Sequence, residues 1–167
     1  MTTSQLDDLV GLPVVANDAA REIGRISEVL FNPPANALFG LVLAPNEQDA
    51  PALLIPLSGI RTVGKDAVTV ESAEVASLFE DDPQAQEIST AGGYRDGMTV
   101  MTESGESVGR VDKVTINDDG TVASYHSTTG FFGTKHDIEP SEVKSASEDM
   151  IIIFDSAREG AVRNVTG

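Results

Sequence analysis

The chain of 167 residues contains no cysteine and no tryptophan, and its aromatic content is only 5%. Without cysteine, disulfides and thiolate metal sites are excluded in any redox compartment. With so few rings, any core must be light and aliphatic, and the stability per folding unit modest. Long apolar runs are also missing. The longest, "ALFGLVLA" from Ala37 to Ala44, falls far short of the roughly 20 residues a membrane span needs. The opening "MTTSQLDDLV" has neither a basic segment nor an apolar stretch of the secretory kind, so a soluble, cytoplasmic protein is expected. Positive charge is scarce: the net charge is −16, and the lysines are Lys65, Lys113, Lys135 and Lys144. Binding to nucleic acid rests on Lys and Arg neutralising phosphates, and no basic stripe exists to do it. Direct binding to nucleic acid is therefore not expected.

What is present is a repeat. "EIGRISEVLF", Glu22 to Phe31, has apolar residues at Ile23, Ile26, Val29 and Phe31, a spacing that fits neither regular strand nor helix. The same spacing returns in "SVGRVDKVTI", Ser107 to Ile116, with Gly24 on Gly109 at an offset of 85 residues. Downstream the offset becomes 83. Ile55 meets Ile138, Ser58 meets Ser141, and Val68 and Val70 meet Ile151 and Ile153. A repeat that keeps register on both sides of a two-residue length change decides the architecture first.

Each copy reads as short strands. Asn117-Asp118-Asp119-Gly120 between alternating apolar runs predicts a hairpin, because Asp-Gly tolerates the positive φ of such turns. Further hairpins are predicted at Gly64-Lys65-Asp66 and around Ser147-Glu148-Asp149. Pro33-Pro34 in "NPPANA" excludes a regular helix or ladder there. Apolar steps of three within a strand predict a bulge at Gly24 and Gly109, where backbone geometry or the close approach of a neighbour excludes a Cβ. Between the copies, Val75, Leu78 and Phe79 predict a short helix from about Ser72 to Glu80, stopped before Pro83, followed by linker. The fold class expected is all-β: two small antiparallel β-barrel repeats joined by a short helix and linker. The boundaries are 9–72 for the first repeat, 73–92 for helix and acidic linker, 93–157 for the second repeat and 158–167 for a tail.

The order "GLPVV…EIGRISEVLFN…LFGLVL…LLIPLSGIRTVGKDAVTV" resembles a PRC-barrel domain, and "GMTVMTESGESVGRVDKVTI…TTGFFGTKHDIEPSEV" resembles a second. The family includes the H subunit of photosynthetic reaction centres, the ribosome maturation factor RimM and archaeal cell-division adaptors. The resemblance implies a small barrel that docks onto other macromolecules. The H subunit's transmembrane helix and the ribosome factor's distinct N-terminal domain have no counterpart here, so neither specific role carries over.

Chemical motifs are sparse. His126 and His136 lie beside Ser127 and Asp137, so a Ser/His/Asp arrangement can be drawn, but no nucleophile-elbow motif supports it. His136-Asp137 offers at most two metal ligands. Glu80-Asp81-Asp82 and Asn117 to Gly120 lack the spaced ligands of a calcium loop, and the glycines at 92, 93, 130 and 133 lack the lysine and hydroxyl of a phosphate loop. The terminal "NVTG" fits the glycosylation pattern without a secretory signal. Phe131 and Phe132, between Gly130 and Gly133, could form an apolar contact or pack into the second barrel. Arg25 and Arg110 could pair with an acidic partner or simply be solvated.

The expectation is a non-enzymatic interaction or scaffold module, with Phe131, Phe132, Arg25 and Arg110 as candidate protein contacts. No catalytic, cofactor or metal residues are assigned. The partner expected is a protein, and a homo-oligomer is possible because two joined barrels mimic a symmetric dimer. One alternative is a small-ligand or metal-ion binding protein using the cleft between barrels. Another is a cell-division or stress-related adaptor, and a hydrolase at His126, His136 and Asp137 ranks last.

Overall fold

The computed structural model describes residues 3–91, 97–129 and 134–157. In the first repeat, β2 (Pro13–Ala16), β3 (Arg21–Asn32), β4 (Ala37–Pro45), β5 (Leu53–Pro56), β6 (Ile60–Val63), β7 (Val68–Val70) and β8 (Ser77–Leu78) form one sheet in the order β6-β7-β2-β3-β4-β5-β8. The second repeat contributes β9 (Thr99–Thr102), β10 (Ser107–Asn117), β11 (Val122–Thr129), β12 (Thr134–Ile138), β13 (Val143–Ala146) and β14 (Met150–Ile153), in the order β12-β11-β10-β9-β14-β13. The expected hairpins close at Gly64, where its N–H bonds to Ala67 O, and at Ser147, whose N–H bonds to Met150 O. Among the described residues pairing is antiparallel with one exception per repeat: β7 runs parallel to β2, and β14 parallel to β9.

The irregular apolar spacing has the structural cause expected of it. Val14 faces Gly24 and Val15 faces Glu22, which leaves Ile23 as an extra residue. Ile26 faces Leu43 and Glu28 faces Val42, which leaves Ser27. On β10 the extra residues are Val108 and Asp112, the same positions 85 residues later. Bulges repeated in both copies bend the long strands alike. The two glycines serve different needs. At Gly24 a Cβ would lie 2.8 Å from the carbonyl oxygen of Ala44, whereas Gly109 has φ 148°, which L residues disfavour.

The copies meet about a pseudo-twofold axis. Leu38 N–H donates to Gly120 O at 2.9 Å and Val122 N–H donates to Asn36 O at 2.8 Å, around a bridge between Ala37 and Thr121. These are equivalent positions in the two repeats, so the contact is self-complementary in the manner of a symmetric dimer. Behind it, Phe31 and Tyr125 meet edge to face, with ring centroids 6.1 Å apart. The Tyr125 hydroxyl donates to Asn36 Oδ1 at 2.6 Å, and burial pushes the phenol's pKa up. One apolar cluster runs through both repeats, from Val14, Ile26 and Leu41 to Val114, Tyr125 and Ile151. The junction is packed: a Cβ on Gly120 would lie 2.5 Å from Leu57 Cδ1.

The residues ahead of each repeat pack on the other. β1 (Thr3–Gln5) pairs with the C-terminal half of β10, Thr3 facing Asn117 and Gln5 facing Thr115. The 3-10 turn that follows buries Leu6 and Leu9 in the shared cluster. Ahead of the second repeat, α1 (Pro83–Ala91) packs on β3. This corrects the helix expected from Ser72 to Glu80. There the chain forms 3-10 turns at Ala73–Val75 and Phe79–Asp81 on either side of β8, whose Leu78 pairs with Leu53. Pro83 starts the helix rather than stopping one before it, since its missing N–H is no loss in a first turn. Asp82 Oδ1 accepts from Ala85 N–H at 2.9 Å, as a capping residue should.

Candidate functional site: the outer face of the second repeat

On β3 to β5, Leu30, Val42 and Leu54 point away from the shared cluster and would be exposed if nothing lay over them. α1 covers them. With Ala85 they form a separate buried cluster, flanked by Phe39, Ala52, Phe79 and Ile88. Ser89 of α1 donates to the Glu28 carboxylate at 2.8–2.9 Å.

On the second repeat the equivalent positions are polar. Glu28 faces Val42, which faces Leu54. Lys113 likewise faces His126, which faces Asp137. Thr115 takes the place of Leu30. Instead of an apolar patch under a helix there is a hydrogen-bonded chain. His126 Nδ1 lies 2.6 Å from Asp137 Oδ1, and Nε2 lies 2.7 Å from Thr115 Oγ1 and 3.3 Å from Ser124 Oγ. Gln5 Nε2 donates to Thr115 Oγ1 at 3.0 Å. With Asp137 ionised, the imidazole donates from Nδ1, so in the neutral ring Nε2 accepts from the Thr115 hydroxyl. The chain ties β12, β11, β10 and the N-terminal strand β1 together across the sheet.

This separates the residues that the sequence placed side by side. His126 and Asp137 come together on the outer face. Ser127 and His136 face each other on the inner one, with Ser127 only 1% exposed. The hydroxyls that reach His126 are those of Thr115 and Ser124, delivered by pairing of β10 with β11. The Thr115 hydroxyl already bonds Gln5 and His126, and the residue is 9% exposed, so it is poorly placed as a nucleophile.

The remaining candidates sort as follows. Arg25 is held locally, bonding Gly11 O at 3.1 Å and Glu22 at 3.4 Å. The Arg110 side chain makes no hydrogen bond or ion pair among the described residues, and it borders an open groove of about 710 Å³ with Pro34, Thr99, Glu148, Asp149 and Met150. Asp119 Oδ1 accepts from the Thr121 hydroxyl at 2.6 Å and its N–H at 3.0 Å. Those bonds, the hydroxyl's first, hold its carboxyl below the usual range. Among the described residues no three His, Asp or Glu side chains converge as a cation site, and no helix is long and apolar enough to cross a membrane. Phe131, Phe132, the glycines at 92, 93, 130 and 133, and the terminal "NVTG" lie outside the described residues.

Two bulged sheets of one pattern, fused about a pseudo-twofold axis, define a tandem of small β-barrels. A family model described as PRC-barrel domain matches residues 1–76 and 96–159, and the chain belongs to that family. No curated protein matches it significantly.

Proposed function

We propose that the chain is a non-enzymatic docking scaffold: a fused pseudo-dimer that presents the outer face of its second repeat to a protein partner. One observation carries this reading. The two repeats share core, bulges and register, yet one outer face is closed by the chain's own helix while the other is polar, charged and partly open. His126 has 28% and Asp137 72% of its side chain exposed. Where duplicated folds diverge, function is expected at the divergent surface rather than in the common frame. The Asp137–His126–Thr115 chain fits a positioning role, since it fastens β1 to the second sheet.

Affinity capture with the tagged full chain in the native host tests this. Loss of one specific partner is expected on charge reversal at the second outer face, with retention on substitutions at exposed Glu74 of the first repeat. Turnover of a small substrate that is abolished in His126→Ala would overturn the reading. The groove bordered by Arg110, Glu148 and Asp149 favours a second reading, a small polar ligand. Thermal shift against ligand panels separates the two, because a specific ligand raises the midpoint by mass action.

A further inference from the structure

Two cross-strand rows lie on the outer face of β10 to β12. Lys113 faces His126, which faces Asp137; Arg110 faces Thr128, which faces Lys135. His126 and Thr128 are two residues apart on one strand, so both rows point the same way. The carboxylates on this face are already engaged, Asp137 by His126 and the bulged Asp112 by the Thr128 hydroxyl at 2.6 Å. The cations are not. Arg110, Lys113 and Lys135 are all exposed, and their side chains make no hydrogen bond or ion pair among the described residues. Elsewhere Arg25, Arg61 and Lys144 are paired with Glu22, Glu71 and Glu103, while Arg21 and Lys65, also exposed and with side chains unpaired among the described residues, stand singly on the first repeat. In a chain of net charge −16, the second repeat thus concentrates free positive charge on one face.

The first repeat shows how such a face is covered. There a helix lies across the long strand and bonds the residue at the position of Lys113, which is Glu28, through Ser89. In the second repeat that charge is inverted. We infer that the outer face of β10 to β12 is the seat of an acidic α-helix from a partner protein, docked as α1 docks on the first repeat, with carboxylates meeting Lys113 and Lys135. Lys113 and Lys135 stand two strands and two residues apart, about 12 Å on sheet spacings. Two turns of helix span about 11 Å, so the carboxylates belong about two turns apart. Three cations cannot offset the charge of the whole chain against a phosphate backbone, which sets nucleic acid aside as the occupant.

This inference rests on the docking-scaffold reading, and the following experiment separates their failures. A photo-crosslinking residue is placed at position 113 or 135 of the full chain, with position 74 as control, in the native host. Adducts at 113 and 135 are expected with one acidic segment of one protein, and none of these at 74. Lys113→Glu with Lys135→Glu should weaken that partner at least ~10-fold, about 1.4 kcal/mol. Reversing the partner's two acidic residues to lysine should restore it. Adducts only with nucleic acid or a second copy of the chain would overturn the inference. So would undiminished binding of the charge-reversed chain, which would leave the scaffold reading standing with its contact elsewhere. Absence of any macromolecular partner at all three positions and in capture would end both.

Discussion

In the first repeat Leu30, Val42 and Leu54 lie dry beneath α1; in the second, Thr115, His126 and Asp137 occupy the same three places and bond to one another instead. The barrel core beneath is the same in kind, with the same bulges at Ile23 and Val108 and at Ser27 and Asp112. The outer face can therefore change its chemistry while the frame holds, and the polar solution leaves a single atom of its chain, the buried Gln5 Oε1, without a hydrogen-bond partner among the described residues. A buried apolar trio needs a cover. A polar trio exchanges contact with water for a chain of partners, and can stay partly open.

Exchanging one position between the two faces breaks this comparison most strongly. Leu54 is 2% exposed, so Leu54→Asp should cost about 3–5 kcal/mol in chemical denaturation, as an unpaired charge forced beneath α1. The reverse change, Asp137→Leu, should alter stability by less than ~1 kcal/mol, because that side chain is largely exposed. Equal losses at the two sites would mean that the faces are not differently covered.

Smaller effects sharpen the picture. Gly24→Ala should cost about 1–3 kcal/mol, since the new methyl would press on the Ala44 carbonyl and the facing backbone must shift. Thr115→Val should cost about 1–2 kcal/mol by leaving Gln5 and His126 without their shared hydroxyl. Amide exchange should then quicken in Thr3–Gln5 before it does in β9. The smallest effect concerns pH and is confined to the second repeat. Asp119 bonds Thr121, whereas its counterpart is Ala35. Its folded pKa is lowered, so its contribution is present above the unfolded carboxylate pKa and is lost as pH falls through the folded value. An NMR titration should place the Asp119 midpoint below that of an unbonded aspartate, and Thr121→Ala should raise it.

The frame was legible in the sequence because its signals are local and duplicated. Apolar steps of three at Ile23, Ile26 and Val29 recur at Val108, Val111 and Val114, and the Asp-Gly turn stands between two alternating runs. The outer face was not legible in the same way. Gln5 reaches Thr115 across 110 residues of sequence, and His126 and Ser127, adjacent in the chain and so suggestive of a pair, lie on opposite faces of a strand for that very reason. The signal lay in the alignment of the copies: Leu30, Val42 and Leu54 are apolar where Thr115, His126 and Asp137 are not. The offset slips from 85 to 84 to 83 along that row, as the bulged hairpins and loops differ in length, and the match becomes visible only once strand pairing is known. The helix position is ambiguous in the sequence because a proline that can stop a helix is, after Asp, equally a start, and Pro83 follows Asp82.

The chain's four lysines report directly on which face is used. Lys65 sits on a turn of the first repeat, Lys144 is paired with Glu103 on the second, and Lys113 and Lys135 stand on the outer face. Amine acylation of the isolated chain and of the assembly purified from its host, quantified residue by residue, tests the account most directly. Lys113 and Lys135 should react freely in the isolated chain and lose at least ~10-fold in rate within the assembly, a protection worth about 1.4 kcal/mol, while Lys65 stays unchanged. Protection of Lys65 with Lys113 and Lys135 still reactive would contradict it.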